Sequence, residues 1–237
     1  MSLTKLKQSV LEANLATVRH GLVMATFGNA SGIDRESGMV VIKPSGVAYE
    51  DMTPDHMVVT DIDGRPLDNR YKPSSDLDTH TTLYRAFTGI GAVIHTHSTY
   101  ATIMAQTLTP IIPLGTTHAD YFRGEIPVTR HLTRSEIENG YVAATGDVIV
   151  ETFKGRDPLE VPAVLVAGHG PFVWGRDTEE AVLNALILEE VAKMAWHSQT
   201  LKPALKPIPD SLLDHHYRRK HGPDATYGQY GRGRGGS

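Results

Sequence analysis

Three histidines stand where they could hold a metal ion together. His95 and His97 follow the short apolar run at 92–94, and His169 follows a second apolar run and lies between two glycines. On a strand, His95 and His97 would point to the same side, about 7 Å apart along the backbone. Taken alone, this pair is also typical of ordinary polar residues at a strand end. The third histidine favours a metal site, because three neutral imidazoles leave coordination positions open for a substrate.

Other polar side chains could bind an anion or move a proton. Lys43 begins the turn Lys43-Pro-Ser-Gly46, which suits a phosphate or carboxylate but is equally typical of a plain turn. Ser74 and Ser75 precede a predicted helix and could bind an anion through its amides and dipole. Asp76 would then be an acid in the first turn, whose commonest role is to complement that dipole. Asp120 fits either a general base or a polar turn residue.

Composition limits the classes of protein that remain. The 237 residues suffice for one large domain or two small ones, and 40% hydrophobic with 21% charged residues is ordinary for a globular protein. The net charge of −4 argues against a general nucleic-acid binder. Cysteine is absent, so a metal site must use histidine and carboxylate ligands. A charged N-terminus and the lack of a long apolar segment predict a soluble, cytoplasmic protein without a membrane partner.

Apolar periodicity and capping residues predict the elements that position these side chains. The predicted helices span 4–24, about 133–145, 178–199 and 211–220, with shorter ones starting near Pro54, Ser75 and Ser98. Leu11, Leu15, Val18 and Leu22 would form the buried face of the first helix. Ser75 with Asp78, Thr133 with Glu136 and Asp177 with Glu180 are predicted capping boxes. The predicted strands span 39–42, 57–62, 92–97 and two parts of 161–174, while 148–153 suits a strand or a helix.

Seven motifs together resemble a known family. They are Gly28-Asn29, Lys43-Pro-Ser-Gly46, Pro73-Ser-Ser-Asp76, His95-Thr-His97, Gly115-Thr-Thr-His-Ala-Asp-Tyr-Phe122, Gly168-His-Gly-Pro171 and Tyr227-Gly-Gln229. From about Leu3 to Gln229 the chain resembles the L-ribulose-5-phosphate 4-epimerase family of the class II aldolase and adducin superfamily. The histidine motif marks only the superfamily. The Ser-Ser-Asp, Thr-His-Ala-Asp-Tyr-Phe and Tyr-Gly-Gln runs mark the epimerase branch.

The resemblance implies a fold and an assembly. Residues 1–229 are expected to form a single three-layer α/β/α domain with a largely antiparallel central sheet. The family assembles as a homotetramer with active sites between neighbouring subunits. The remaining residues, 230–237, are low in apolar residues and are predicted to be a disordered Gly/Arg tail. An arginine-glycine motif for nucleic acid is the alternative for this tail, and the acidic chain argues against it.

The resemblance also assigns roles to residues. Asp76, His95, His97 and His169 match the metal ligands, usually of zinc, although other divalent metals are possible. Asp120 and Tyr227 match an acid/base pair supplied by the adjacent subunit, with the role of each left open. Substrate or phosphate binding is implied for Gly28, Asn29, Lys43, Ser45, Gly46, Ser74, Ser75, Thr116, His216 and Arg219. The sequence departs from the family at Val142, where the epimerases have a glutamate.

The implied activity is the interconversion of L-ribulose 5-phosphate and D-xylulose 5-phosphate. The C3–C4 bond would break by retro-aldol cleavage, glycolaldehyde phosphate would rotate, and the bond would re-form, which requires acid/base groups on both faces. Arabinose and ascorbate degradation both use such enzymes. A zinc-dependent sugar-phosphate aldolase is the main alternative. A non-catalytic module like the adducin head and a structural metal site are further ones.

Overall fold

One antiparallel sheet forms the middle of the fold. The computed structural model describes residues 2–222 and residue 225. Within this part of the chain the strands are β1 Asn29–Asp34, β2 Met39–Ile42, β3 Val58–Thr60, β4 Ala92–His95, β5 Ala163–Leu165 and β6 Pro171–Gly175. They form a six-stranded sheet in the order β3-β2-β1-β4-β6-β5, and each neighbouring pair is antiparallel.

Helices cover both faces of this sheet. Over the described residues they are α1 Leu3–Arg19, α2 Leu77–Ala86, α3 Thr99–Gln106, α4 Thr116–Ala119, α5 Arg134–Thr152, α6 Thr178–Leu201 and α7 Asp210–His221. Short 3-10 turns at Tyr49–Asp51 and Pro54–His56 precede β3. Each helix in this part of the chain is too short or too polar to cross a membrane.

Two neighbouring residues of β1 show how the layers are built. A Cβ atom on Gly32 would lie 3.0 Å from Leu6 and from Val10, so α1 approaches this face of the sheet very closely. Ser31 points to the opposite face, where its hydroxyl contacts His80 and Tyr84 of α2. Successive strand residues alternate between the two faces. The predicted three-layer α/β/α arrangement with an antiparallel sheet is therefore confirmed.

The core between the sheet and α2 is aromatic. The Trp174 ring lies 5.3 Å from Phe87 and 5.1 Å from Phe153, measured between centroids, and its indole N–H donates to the Pro158 carbonyl at 2.7 Å. Buried rings remove large apolar areas from water and favour such tilted contacts. Phe172 stands two residues earlier on the same face of β6, so this rigid core continues to the strand end where His95 lies.

Two helix boundaries differ from those predicted. α1 ends at Arg19 rather than near residue 24, because Gly21 adopts a positive φ of 68° directly after the C-cap residue His20. Val18, expected on the buried face, is 42% exposed. α5 continues to Thr152, beyond the predicted end at Thr145, so 148–152 is helix and Phe153 is the C-cap residue.

The helix starts are also partly corrected. The capping box at Thr133 and Glu136 is confirmed, and Asp177 caps α6 through the Glu180 N–H. The Glu180 carboxylate accepts from the Arg176 N–H rather than from that of Asp177, so the second half of that predicted box is wrong. The box at Ser75 and Asp78 is wrong as well, because α2 begins at Leu77 with Asp76 as its N-cap residue.

Candidate metal centre

His95 is placed by the sheet. It is the last residue of β4, opposite Asn29 of β1 and Phe172 of β6, so these three side chains share the face that α2 covers. The imidazole stacks on the Phe172 ring with 4.3 Å between centroids and is 2% exposed. A side chain held between strands and against an aromatic ring has little rotational freedom.

His97 and His169 reach the same point from loops. β4 ends at His95, so the predicted placement of His97 on that strand is wrong: the chain leaves the sheet to begin α3 at Thr99. His169 lies in the turn between β5 and β6, where Gly168 has a φ of +69° that a residue with a side chain adopts only under strain. Both histidines nevertheless point toward His95.

The three rings form one compact cluster. One ligand nitrogen of each lies within 4.8 Å of the others, and the ring centroids are 4.7–4.9 Å apart. The Nε2 atoms of His95 and His97 are 3.1 Å apart. Two nitrogens that bind one tetrahedral ion at about 2.0–2.1 Å lie roughly 3.3–3.4 Å from each other. The arrangement therefore fits a divalent metal ion with only small adjustments.

Protonation also suits a metal. His95 Nδ1–H can donate to the Pro171 carbonyl at 2.9 Å, which leaves Nε2 with a lone pair directed into the cluster. Burial lowers the pKa of His95 well below its ordinary value, and it lowers those of His97 and His169 in the same direction. The three imidazoles are thus neutral near pH 7, and neutral imidazole is the form that binds metal.

Asp76 stands next to the cluster without joining it. Its carboxylate accepts a hydrogen bond from Asn29 Nδ2 at 2.6 Å. Burial would raise the pKa of this carboxyl, but interactions with His95 and His80 and the hydrogen bond from Asn29 outweigh it, so the pKa lies below its ordinary value. Asp76 is therefore an ionised carboxylate near the histidine cluster, while Asn29 Oδ1 is buried without a hydrogen-bond partner among the described residues.

A cavity of about 410 Å³ connects the histidines to the predicted anion-binding residues. It is lined by the three histidines with Asp76 and by Gly28, Asn29, Lys43, Ser45, Gly46, Ser74 and Ser75. The Lys43 ammonium lies 4.8 Å from the Tyr49 ring centroid and 3.4 Å from the Thr26 carbonyl oxygen. A cation, three hydroxyls and turn amides on one wall form a suitable environment for a phosphate group.

The remaining predicted residues form a second group around Asp120. Its carboxylate accepts from His216 Nδ1 at 3.0 Å and from two Arg219 nitrogens at 3.2 and 3.0 Å. Burial would raise the pKa of Asp120, but these hydrogen bonds outweigh it and the pKa is lowered. Thr116 supports the same turn, because its carbonyl accepts from the Asp120 N–H.

In the part of the chain that the structure describes, this second group does not line the histidine cavity. Asp120, Thr116, His216 and Arg219 thus belong to α4, α7 and their flanks rather than to the cavity wall. Tyr227 and the predicted tail lie outside the described residues.

Four residues that line the cavity were not predicted as site residues: Thr26, Phe27, Pro44 and Tyr141. Tyr141 lines the cavity, and its hydroxyl lies 3.2 Å from His169 Nδ1. Gly140, whose φ is 151°, interrupts the helical geometry directly before it, and a glycine inside a predicted helix was the available signal. Phe27 is 57% exposed and stacks on His97 at 5.8 Å, a contact that no local pattern indicates.

Comparison with known proteins identifies a matching family model, a close relative in sequence and similar solved structures. The model of the family described as Class II Aldolase and Adducin N-terminal domain matches residues 8–196. The L-ribulose-5-phosphate 4-epimerase UlaF of Salmonella paratyphi B is 55% identical over 225 residues, which cover 95% of this chain and 99% of that protein. A solved structure of L-fuculose 1-phosphate aldolase has a TM-score of 0.77 at 25% identity, covering 91% of this chain and 95% of its own. The structure of the L-fuculose-1-phosphate aldolase of Thermus thermophilus has a TM-score of 0.67 at 24% identity, and the match covers 86% of this chain and 100% of that one.

Proposed function

Because this chain belongs to the class II aldolase and adducin family, we propose that it is a metal-dependent L-ribulose-5-phosphate 4-epimerase. The observation that carries the proposal is that the histidine cluster and the lysine-serine wall line the same cavity. Such a cavity accepts a small molecule with a phosphate at one end and a metal-binding carbonyl and hydroxyl at the other. The 55% identity to an epimerase over nearly the whole chain favours this branch over the rest of the family.

The metal would be held by His95, His97 and His169, with Asp76 as a fourth candidate ligand. A divalent ion there, which we propose is zinc, supplies Lewis-acid polarisation of the substrate carbonyl. Three histidines and one carboxylate are ligands that zinc accepts, and the chain contains no cysteine to compete for it.

The cavity wall has two tasks in this reaction. Lys43, Ser45, Ser74 and Ser75 bind the phosphate, so the two-carbon aldehyde that carries it stays in place after the C3–C4 bond breaks. The aldehyde can then rotate about its tether and present its other face. Asn29 donates a hydrogen bond to Asp76, and its Oδ1, which has no partner among the described residues, accepts a hydrogen bond from a substrate hydroxyl.

Asp120 and Tyr227 are proposed to move the protons, supplied by the neighbouring subunit of a homotetramer. One of them takes the proton of the C4 hydroxyl, and the electrons of the C3–C4 bond pass to the three-carbon fragment as an enediolate. After rotation, C3 attacks the other face of the aldehyde and the second group returns a proton to the new C4 alkoxide. Arg219 and His216 keep Asp120 ionised, so it starts as a proton acceptor.

Location and pathway follow from the substrate. A sugar phosphate does not cross a lipid bilayer unaided, so we propose a cytoplasmic enzyme of pentulose catabolism. Arabinose degradation and ascorbate degradation are both routes that deliver L-ribulose 5-phosphate or its epimer.

A turnover assay on L-ribulose 5-phosphate tests the proposal. Zinc-loaded protein should form D-xylulose 5-phosphate, chelator-stripped protein should not, and Asp120→Asn should abolish turnover while retaining zinc. The likeness to L-fuculose 1-phosphate aldolase makes an aldolase the second candidate. Metal-dependent release of free glycolaldehyde phosphate would favour an aldolase, and no turnover of any pentulose phosphate would refute the proposed epimerase.

A further inference from the structure

A chain of three buried polar groups runs from the core toward the metal centre. The Tyr84 hydroxyl lies 2.7 Å from Ser31 Oγ, and Ser31 Oγ lies 2.7 Å from His80 Nδ1. All three residues are completely buried. The chain stops at His80, whose Nε2 is buried and has no hydrogen-bond partner among the described residues. Burying a ring nitrogen without a hydrogen-bond partner is unfavourable, so its presence calls for a reason.

The position of His80 connects it to Asp76. The two residues are four apart on the first turn of α2, where the His80 N–H donates to the Asp76 carbonyl at 3.1 Å, and side chains with this spacing lie on one helix face. The His80 ring meets Phe172 edge-on at 6.0 Å, and Phe172 stacks on His95. His80 therefore lies directly behind the metal ligands.

The hydrogen bonds among Tyr84, Ser31 and His80 can all be donated in the same direction, toward His80. If Tyr84 donates to Ser31 and Ser31 donates to His80 Nδ1, His80 must carry its proton on Nε2. The unpaired atom is then an N–H donor. The charge of Asp76 also acts on this ring, which places the carboxylate and the imidazole near each other.

We propose that His80 is a positioning residue for Asp76, and that its Nε2–H donates to the Asp76 carboxylate when that carboxylate turns from Asn29 to the metal. This inference rests on the proposed metal site, and it assigns His80 a role outside the ligand set. A carboxylate ligand fixed by a second hydrogen bond holds its metal more tightly, and loss of such a partner typically lowers affinity roughly 10- to 100-fold.

Two substitutions separate this role from a purely structural one. His80→Gln places an amide near the position of Nε2 and gives up the contact with Ser31, whereas His80→Asn keeps an amide near Nδ1 and gives up the donor toward Asp76. We expect His80→Asn to lower zinc affinity roughly 10- to 100-fold, measured by chelator competition, and His80→Gln to stay within a few-fold of wild type. Equal losses, or the opposite order, would overturn the proposal.

A double-mutant cycle tests whether His80 acts through Asp76. In an Asp76→Ala background, His80→Asn should lower zinc affinity no further, because its partner is gone. An unchanged effect of His80→Asn in that background would mean that it acts by disturbing the fold. Ser31→Ala is the matched control, since it breaks the same polar chain on the far side of the ring and should reduce stability more than zinc affinity.

The unmodified protein provides an independent check, which stands even if His80→Asn does not fold. Nitrogen chemical shifts of the His80 ring should show a protonated Nε2 and a bare Nδ1 with zinc bound. A protonated Nδ1 and a bare Nε2 would refute the proposal. If wild-type protein binds zinc but fails these tests, only this inference fails, whereas absence of zinc binding would remove the proposed metal site itself.

Discussion

The side chain of Lys43 is 3% exposed, although it carries an ammonium group on the wall of the cavity. Burial lowers its pKa, so folding keeps a charge at a position where it is unfavourable without an anion. We expect Lys43→Gln to raise KM for the sugar phosphate roughly 10- to 100-fold, the range for losing a hydrogen bond to a charged group, with a smaller effect on kcat. Steady-state kinetics on zinc-loaded protein measures this.

Lys72→Gln is the matched control, because Lys72 is exposed and meets the same turn through its carbonyl, which accepts from the Ser45 N–H at 2.8 Å. This variant removes the same charge and should leave KM within about two-fold. A similar rise of KM in both variants would mean that Lys43 acts through overall charge rather than through the phosphate.

His118 has a different role from the other histidines of the motifs. Its Nε2–H donates to the Gly124 carbonyl at 2.7 Å, and burial lowers its pKa to about 4. The unfolded chain takes up a proton below about pH 6.5 and the folded chain does not, so stability falls as the pH drops from 6.5 toward 4. When the pH is lowered from 7 to 5, the unfolding free energy of the wild type should therefore fall by about 2 kcal/mol more than that of His118→Gln.

Urea unfolding of metal-free protein at both pH values measures this difference, and metal-free protein avoids the separate pH dependence of metal binding. His131→Gln is the control, since His131 is exposed and should track the wild type at both pH values. A constant difference between His118→Gln and wild type would mean that His118 titrates normally.

Among the residues, types and spacing were enough to predict that three histidines meet. His95, His97 and His169 were predicted to meet because apolar runs ending in polar residues mark strand ends. The contact between Asp76 and Asn29 was not predictable, since it joins residues 47 positions apart whose orientation depends on the packing of α2 on the sheet. The contact of Tyr141 with His169 spans 28 positions, and Gly140 before it was the local signal that this part of the helix is unusual.

Among the secondary-structure elements, helix α3 is capped at its N-terminus by a side chain from another helix, α6. Ser98 occupies the predicted N-cap position but makes no capping hydrogen bond through its side chain. The Glu189 carboxylate of α6 instead accepts from the Tyr100 and Ala101 N–H groups at 2.8 and 3.0 Å. A local rule for caps considers residues a few positions away, so this partner, nearly 90 residues later, could not be predicted.

This cap matters for the metal centre, because α3 begins two residues after His97. Glu189→Ala should reduce the unfolding free energy by about 1–3 kcal/mol, since two helix N–H groups lose a charged acceptor. Zinc affinity should fall at the same time, as the loop that carries His97 loses its support. Urea unfolding and chelator competition measure the two effects.

Glu190→Ala provides the comparison. Glu190 is the exposed neighbour of Glu189 on the same helix, and its removal should change stability by less than about 0.5 kcal/mol. Equal effects of the two substitutions would mean that the loss comes from the charge or helix propensity of α6 rather than from the cap.

In the molecule as a whole, the residues around Asp120 lie apart from the residues that line the histidine cavity. The cavity is lined by the three histidines, Asp76 and the lysine-serine wall, whereas α7 holds Asp120 outside that lining. The order of the layers and the antiparallel direction of the sheet were predictable, because the resemblance implies them. How one chain meets another was not, since a contact between copies leaves no periodic signal in the sequence.

Mixing two inactive variants tests whether sites are shared between subunits. Asp120→Asn retains the metal ligands, and His97→Ala retains Asp120. Suppose that each site combines the cavity of one subunit with Asp120 of its neighbour. When equal amounts of the two variants exchange subunits at random, one site in four is then intact. Activity should return to about a quarter of the wild-type value. The measurement is the epimerase assay after co-refolding or co-expression of the two variants.

A second pairing makes the result specific. Mixing Asp120→Asn with Tyr227→Phe should restore nothing if both groups come from the same neighbouring subunit, because no single chain then supplies the intact pair. Any activity in this control would place the two groups on different chains. If the first mixture also stays inactive while both variants form mixed oligomers, the proposed sharing is wrong, and Asp120 must reach the cavity of its own chain by a movement of α7.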